Sequence, residues 1–571
     1  MRVNCFATLT VAVFITVLWF VFANPAASDM VIREAEETAA VQGQPLATHY
    51  GSTWRKMSRA ECATKAVEAM GIKENFISVE TDKAGDVFGV TENAACAVWS
   101  CPLRDGVEIY VFVAGKDSKE VERLRNSIRT HVCDGPYNPK IPAKIVTKDA
   151  KRRSAAPAIH LGTDSRNMSR ADFDTTGMLS MERLGLKPSV DPKTFTISGY
   201  KADASAVAFY LELKPGTGYL SVISASYSSH LAEYLRNTIR IDIFEKRLPK
   251  PWAVILCKYS DKANTEPHPP RYYQEAFSEV GKGMGREYDY FRQVSHGALD
   301  MTGTKVFGWY TMKNHSTADV GKLKFPNPGR GTMHDWGLET AKANKIDVSK
   351  FHGVIVIFNG NADAGSVGNH RVVFGYPTTE WSPTFNMHEI AHGYDLDHTW
   401  SARPDAVYGD QWDIMSAMNC WTTPTKFGGA GPAFNAFNLK KVGGLPDWRI
   451  SNVPRKVGTT TITLASLHKP EAEGSLMAQI PPVPGSTTSY TVEFRQKHGW
   501  DAGFPADTVL LHEVRSNGLC YLLSRLDRFD PASVQVTAGG DFTLPAGKFT
   551  VKALSFNDGA SNAKVSITIN K

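Results

Sequence analysis

The sequence predicts an α+β multidomain chain, with two repeated small α+β modules, an α/β domain and a C-terminal all-β sandwich. Three observations predict it. Short motifs recur at one fixed offset in the N-terminal part. Strands alternate with helices from Trp252 to about Trp448. Short alternating runs separated by turn residues fill 451–571. The composition agrees: 571 residues, 42% hydrophobic and 21% charged, can form several cores. It excludes a wholly disordered, a collagen-like and a polytopic membrane protein. A net charge of +6 over this length permits weak attraction to acidic glycans. It is no nucleic-acid footprint.

Residues 1–23 are expected to be a secretory signal peptide. Met1-Arg2 is followed by an uncharged apolar run, Phe6 to Ala23, and then by small residues at Ala26 and Ala27. The run is long, so an uncleaved anchor is the alternative. After cleavage the chain is expected to be secreted, extracellular and off the membrane. An oxidising compartment permits disulfides. Cys62, Cys96, Cys101, Cys133, Cys257, Cys420 and Cys520 follow the signal; being odd in number, they leave at least one free or paired with another chain. Asn167-Met-Ser and Asn314-His-Ser are N-glycosylation sequons.

The first module is assigned to 57–133, a linker to 134–167 and the second module to 168–247. Met57-Ser-Arg-Ala-Glu-Cys62 recurs as Met168-Ser-Arg-Ala-Asp-Phe173, and Leu124-Arg-Asn-Ser-Ile-Arg129 as Leu235-Arg-Asn-Thr-Ile-Arg240, both 111 residues on. Gly89 and Trp99 fall opposite Gly199 and Phe209 within one residue of that offset. Cys62 and Cys133 become Phe173 and Phe244, as expected if the two positions touch. A Cys62–Cys133 disulfide follows as an expectation, with Cys96–Cys101 as the second pair, although connectivity stays open. Basic clusters at Lys151-Arg-Arg153 and Lys246-Arg247 mark candidate processing sites. Cleavage after Arg247 would make the modules a propeptide. Without cleavage they would be accessory binding modules.

In 248–450, Ala253–Cys257, Thr304–Tyr310, Val354–Phe358 and Arg371–Phe374 read as strands, and 272–291 and 335–345 as helices. Gly281-Lys-Gly-Met-Gly285 reads as a helix break and Cys257 as core. Ser382 is a good N-cap and Pro383 a good first residue for a further helix. On that helix His388 and His392 lie four apart on one face, a spacing that can hold one zinc ion. Glu389 can take a proton from zinc-bound water without ligating the metal. His398 is the expected third ligand, with Gly393 and Asp395 accepting left-handed angles in the turn between. Asp405 is the alternative third ligand, because Asp405-Ala-Val-Tyr-Gly409 resembles the aspzincin pattern. The bland reading of Asp405, Asp410 and Asp413 is turn chemistry.

Residues from Trp252 to about Trp448 resemble the gametolysin-like metzincins, secreted zinc endopeptidases. The resemblance is carried by His388-Glu-Ile-Ala-His392, by His398, and by Tyr408-Gly-Asp followed by Asp413-Ile-Met415. Gly431-Pro-Ala-Phe-Asn-Ala-Phe-Asn438 with Gly443-Gly-Leu-Pro completes it. It implies a metzincin-type catalytic domain with one catalytic Zn2+ on His388, His392 and His398, Glu389 as general base, and Met415 in a Met-turn. Three departures stand out. Asp395 replaces a glycine of the pattern. Ala417 stands where some metzincins place a tyrosine ligand. No cysteine-switch motif precedes the domain.

The runs 459–464, 489–495, 508–514, 519–523, 548–553 and 563–569 make up the expected sandwich. The function expected is a secreted, monomeric zinc metalloendopeptidase that cuts polypeptide substrates such as cell-wall or matrix glycoproteins. The alternative is a secreted glycan- or wall-binding protein with a vestigial peptidase domain. The substrate cleft is expected between the 383–392 helix and the strand at 371–374, with the loop 359–370 as its rim.

Overall fold

The computed structural model describes residues 46–146, 156–191, 196–376, 382–526 and 530–571. The expected signal peptide and Lys151-Arg-Arg153 lie outside them. The described chain is α+β and rich in mostly antiparallel sheet. It divides into two compact units between Leu248 and Pro249. No helix among the described residues is long and apolar enough to cross a membrane.

The first unit contains two antiparallel sheets. One runs Ala47–Arg55, Gly106–Gly115, Ala94–Leu103, Val87–Val90, Ser78–Thr81, Lys144–Val146. The other runs Ala158–Asn167, Thr217–Ser226, Ala204–Lys214, Thr196–Lys201, Lys187–Asp191. Equivalent elements start 111 residues apart: the strands at Ala47 and Ala158, the helices at Arg59 and Arg170, and the helices at Ser118 and Ser229. Strands therefore precede both assigned modules, and the range read as a linker contributes one strand to each sheet. The repetition extends to single contacts. Ser58 and Ser169 each N-cap their helix. His49 Nε2 lies 3.1 Å from Ser118 Oγ, and His160 Nε2 lies 3.1 Å from Ser229 Oγ. Gly89 and Gly199 admit a helix methionine against the sheet, since an added Cβ would meet Met70 Sδ or Met181 Sδ at 2.8 Å.

Each sheet packs its helices on one face and the other sheet on the opposite face. Trp99 and Phe209, matched by sequence, meet between the sheets with ring centroids 5.4 Å apart. The expected disulfides do not form: all four thiols are free. Cys96 and Cys101 are five apart on one strand, so strand alternation sends them to opposite faces and separate cores. Cys62 and Cys133 do share the helix-side core, but they pack there as small apolar groups. Burial pushes the Cys62 thiol up to about 12, so it stays protonated and unreactive.

The second unit begins with a five-stranded sheet ordered Lys305–Thr311, Trp252–Lys258, Gly353–Phe358, Arg371–Gly375, Gly365–Gly368. The first four are parallel and the last is antiparallel. Alternate residues face two layers. Val254, Leu256, Ile355 and Ile357 pack with Met387 and Ile390 of the helix Pro383–His392. Ile255, Cys257 and Val356 pack with Met333 and Trp336 of the helix Gly329–Ala343. The single helix expected over 272–291 is two, Pro270–Phe277 and Glu287–Val294, broken at the predicted glycines. Gly283 and Gly285 have positive φ there and donate backbone N–H bonds to Asp289.

All six predicted C-terminal runs lie in strands. A four-stranded sheet, Gly458–Ala465, Asn562–Ile569, Phe549–Asn557, Asp541–Leu544, faces a seven-stranded one across a common core. The larger sheet crosses residue 450: Trp400–Ala402 pairs with Cys520–Leu522 and carries Asp405–Val407 as its edge, and Ile450–Asn452 pairs with Met477–Ile480.

Candidate metal centre

Local chemistry fixes the helix that carries the motif. Ser382 accepts the Thr384 N–H, Pro383 fills the first turn, and Thr384 Oγ1 bonds to the Gly429 and Gly431 carbonyls. His388 and His392 then project together. His388 Nδ1 bonds to the Ile414 carbonyl at 2.9 Å, and His392 Nδ1 to the Leu396 carbonyl at 2.7 Å. A carbonyl only accepts, so both Nδ1 atoms carry hydrogen and both Nε2 atoms present lone pairs. Those Nε2 atoms are 3.0 Å apart.

The turn after the helix brings in His398. Asp395, not Gly393, supplies the left-handed residue, with φ 63°. Gly393 has ordinary helical angles. It is small because a Cβ there would meet Trp252 Cη2 at 2.5 Å. One ligand atom from each of His388, His392 and His398 lies within 4.8 Å of the other two. Three imidazole nitrogens at this spacing could hold one ion between them. His388 is buried and the other two half-buried, which leaves the pocket open on one side.

Met415 is buried in the turn Ile414–Asn419. That turn ties the two ligand-bearing segments together, since Ile414 O accepts from His388 and Met415 O accepts the Thr399 N–H. Asp413 caps the turn by accepting from Met415 N at 2.6 Å. Asp405 is not brought to the site: its carboxylate is exposed and pairs with Arg515 at 3.2 Å.

No family model and no curated protein matches this chain. Among solved structures, the crystal structure of the di-domain ARO/CYC BexL from the BE-7585A biosynthetic pathway aligns at 11% identity, covering 34% of this chain and 91% of that one, with a TM-score of 0.13. The di-domain ARO/CYC StfQ from the steffimycin biosynthetic pathway aligns at 10% identity, covering 39% and 82%, with a TM-score of 0.12. Scores this low carry no argument about fold or function.

The electrostatics keep the three rings in the neutral form that can ligate. Burial, with the neighbouring imidazoles adding repulsion, lowers His388 to about 3 and His392 to about 4. Burial lowers His398 as well. All three rings are therefore neutral at pH 7 and able to ligate. Burial raises Glu389 to about 7, against the Ser366 N–H that donates to its Oε2 at 2.8 Å. A carboxyl titrating near neutrality suits proton transfer.

Ser366 lies on the antiparallel strand Gly365–Gly368, which is the edge of the sheet. The strand at 371–375 expected to face the cleft is covered on both sides, because the segment read as a rim loop folds back along it. Arg330 braces the edge strand, bonding to Asp363 at 2.8 Å and to the Ser366 carbonyl at 3.3 Å. Ser366, Arg330 and Tyr408 were not picked out from sequence as site residues. Tyr408 Oη lies 3.1 Å from His398 Nε2.

The exposed sequon residues Asn167 and Asn314 are sterically available. Lys246 and Arg247 pair with Asp172, and with Asp242 and Glu245, at the end of the helix Ser229–Phe244.

Proposed function

We propose that the chain is a secreted zinc metalloendopeptidase of the gametolysin-like metzincin type, acting on extracellular or cell-wall proteins. The observation that carries the reading is the convergence of three neutral imidazoles, two of them fixed through Nδ1, beside a carboxylate on the same helix. His388, His392 and His398 would hold the ion through nitrogen. When bound, zinc supplies a Lewis acid that acidifies water and polarises a carbonyl. Glu389 accepts the water proton at its carboxylate and returns it to the departing amide nitrogen. The Ser366 N–H keeps that carboxylate oriented. Met415 and Ile414 hold the ligand segments in register.

Casein hydrolysis by the purified chain tests the reading. Activity should vanish with a chelator, return with zinc, and be lost in Glu389→Gln while that variant still binds one zinc. A zinc-loaded chain that cuts no peptide would favour a glycan- or wall-binding protein with a vestigial peptidase domain.

A further inference from the structure

Residue 417 is alanine, so the second position after Met415 gives the site no phenol. A phenol nevertheless reaches it from another part of the chain. Trp400–Ala402 and Asp405–Val407 form a short hairpin whose open end sets Thr399 beside Tyr408, with the Tyr408 N–H donating to the Thr399 carbonyl at 2.9 Å. His398 and Tyr408 therefore stand side by side, with ring centroids 4.3 Å apart, while His388 lies 6.2 Å from the tyrosine ring. Tyr408 holds φ 59°, a conformation rare for a residue with a Cβ. Gly409 follows with no room for a side chain, since a Cβ would meet Ser401 Oγ at 2.3 Å. Strained backbone that aims a side chain into a pocket is a mark of functional placement.

The hydroxyl's partner is informative. Tyr408 Oη sits 3.1 Å from His398 Nε2, the two sharing one hydrogen bond whose donor is set by the imidazole tautomer. A metal held through Nε2 would occupy that nitrogen, so loading the site would take this partner from Tyr408. The spacing is also close to the roughly 3.3 Å between neighbouring tetrahedral ligands. The hydroxyl thus stands at the edge of the metal position on its His398 side, within reach of an oxygen held there. We propose that Tyr408 is a catalytic residue, donating its Oη–H to the scissile carbonyl oxygen as that oxygen becomes negative. The phenol keeps its proton throughout, and the proton that moves passes from water to Glu389 and on to the amide nitrogen. The inference rests on the peptidase reading.

Tyr408→Phe in the full chain tests it, with zinc content, hydrolysis of a fluorogenic casein-derived peptide, and acetohydroxamate binding to the cobalt-substituted protein as readouts. The variant should keep one metal per chain and lose about a hundredfold in kcat with little change in KM. It should bind acetohydroxamate roughly tenfold more weakly, as expected for one charge-assisted hydrogen bond. Tyr408→His, which keeps a ring donor, should lose less on both counts, and it replaces the phenylalanine variant if that fails to fold. Wild-type kcat and acetohydroxamate affinity in Tyr408→Phe would overturn the proposal while leaving the peptidase reading intact. Loss of metal from that variant would overturn it by making Tyr408 a structural or ligating residue. A zinc-loaded wild type without peptidase activity would remove the peptidase reading and the carbonyl assignment together.

Discussion

A histidine that donates Nδ1–H to a carbonyl has one nitrogen left to offer, and its ring is fixed in direction. His388 and His392 both do this through carbonyls of the chain that follows them, so the ligand atoms are oriented before any ion arrives. Proton linkage follows. In the metal-free protein the lowered His388 and His392 remain neutral when folded but protonate when unfolded below about pH 6.5. Their contribution to stability is full above pH 6.5 and declines as pH falls towards 3–4. Glu389 acts oppositely to an ordinary carboxylate. Its raised value means the folded state holds a proton longer than the unfolded state, so stability falls as pH rises from about 4.5 to about 7. Glu389→Gln should therefore match wild type near pH 4 and be more stable above pH 7, by about 2–3 kcal/mol. Thermal melts of chelator-treated protein across that range check it; a constant difference would contradict it. That His388 and His392 share a helix face beside Glu389 is legible in the sequence because helical spacing is local. Tyr408 stands in a motif the sequence shows, but its place beside His398, like that of Ser366 beside Glu389, comes from hairpin register and sheet order, which leave no periodic trace.

At the scale of elements, the edge strand Gly365–Gly368 connects the sheet to the acid. Ser366 uses its N–H on Glu389 and its carbonyl on Arg330. Gly365 has φ 147°, and a Cβ there would meet the Arg330 guanidinium at 2.2 Å. Gly365→Ala should destabilise the protein by ~1–3 kcal/mol and lower kcat/KM, with bound zinc unchanged. Melting, kinetics and metal analysis of one preparation check it, and unaltered kinetics would contradict the role given to the strand. This strand was read as loop because 359–370 is rich in Gly and Ala, which carry neither β propensity nor alternation. The Cys62–Cys133 expectation erred for a related reason: shared location in a core was inferred correctly, but thiols and phenyl rings can both fill a core without a covalent bond.

At the scale of the molecule, the C-terminal region is continuous with the elements around the histidine cluster. His512 bonds to Asp410 at 3.0 Å, and Glu493 accepts from Ala436 N at 2.6 Å. Arg495 reaches Asp501 at 2.8 Å, and Asp413, which caps the Met415 turn, accepts from Asn435 N at 2.7 Å. Arg495 with Glu493 and Asp501, and His512 with Asp410, are buried pairs, and removing one partner from such a pair typically costs ~3–5 kcal/mol. A chain ending at residue 450 should therefore fail to fold and bind no stoichiometric zinc. Residues 249–571 alone should fold and bind one equivalent, with the division between Leu248 and Pro249 as the natural cut. Circular dichroism and metal analysis of the two fragments distinguish these outcomes. The offset of 111 made the N-terminal duplication legible, whereas a sheet shared across residue 450 has no signature in local pattern.

The most direct test is zinc analysis with X-ray absorption on the wild-type chain, His398→Ala and Asp405→Ala. One zinc per chain with three imidazole nitrogens, weakened by His398→Ala and untouched by Asp405→Ala, is the predicted result. A chain without stoichiometric zinc, or a zinc site indifferent to His398, would contradict the account.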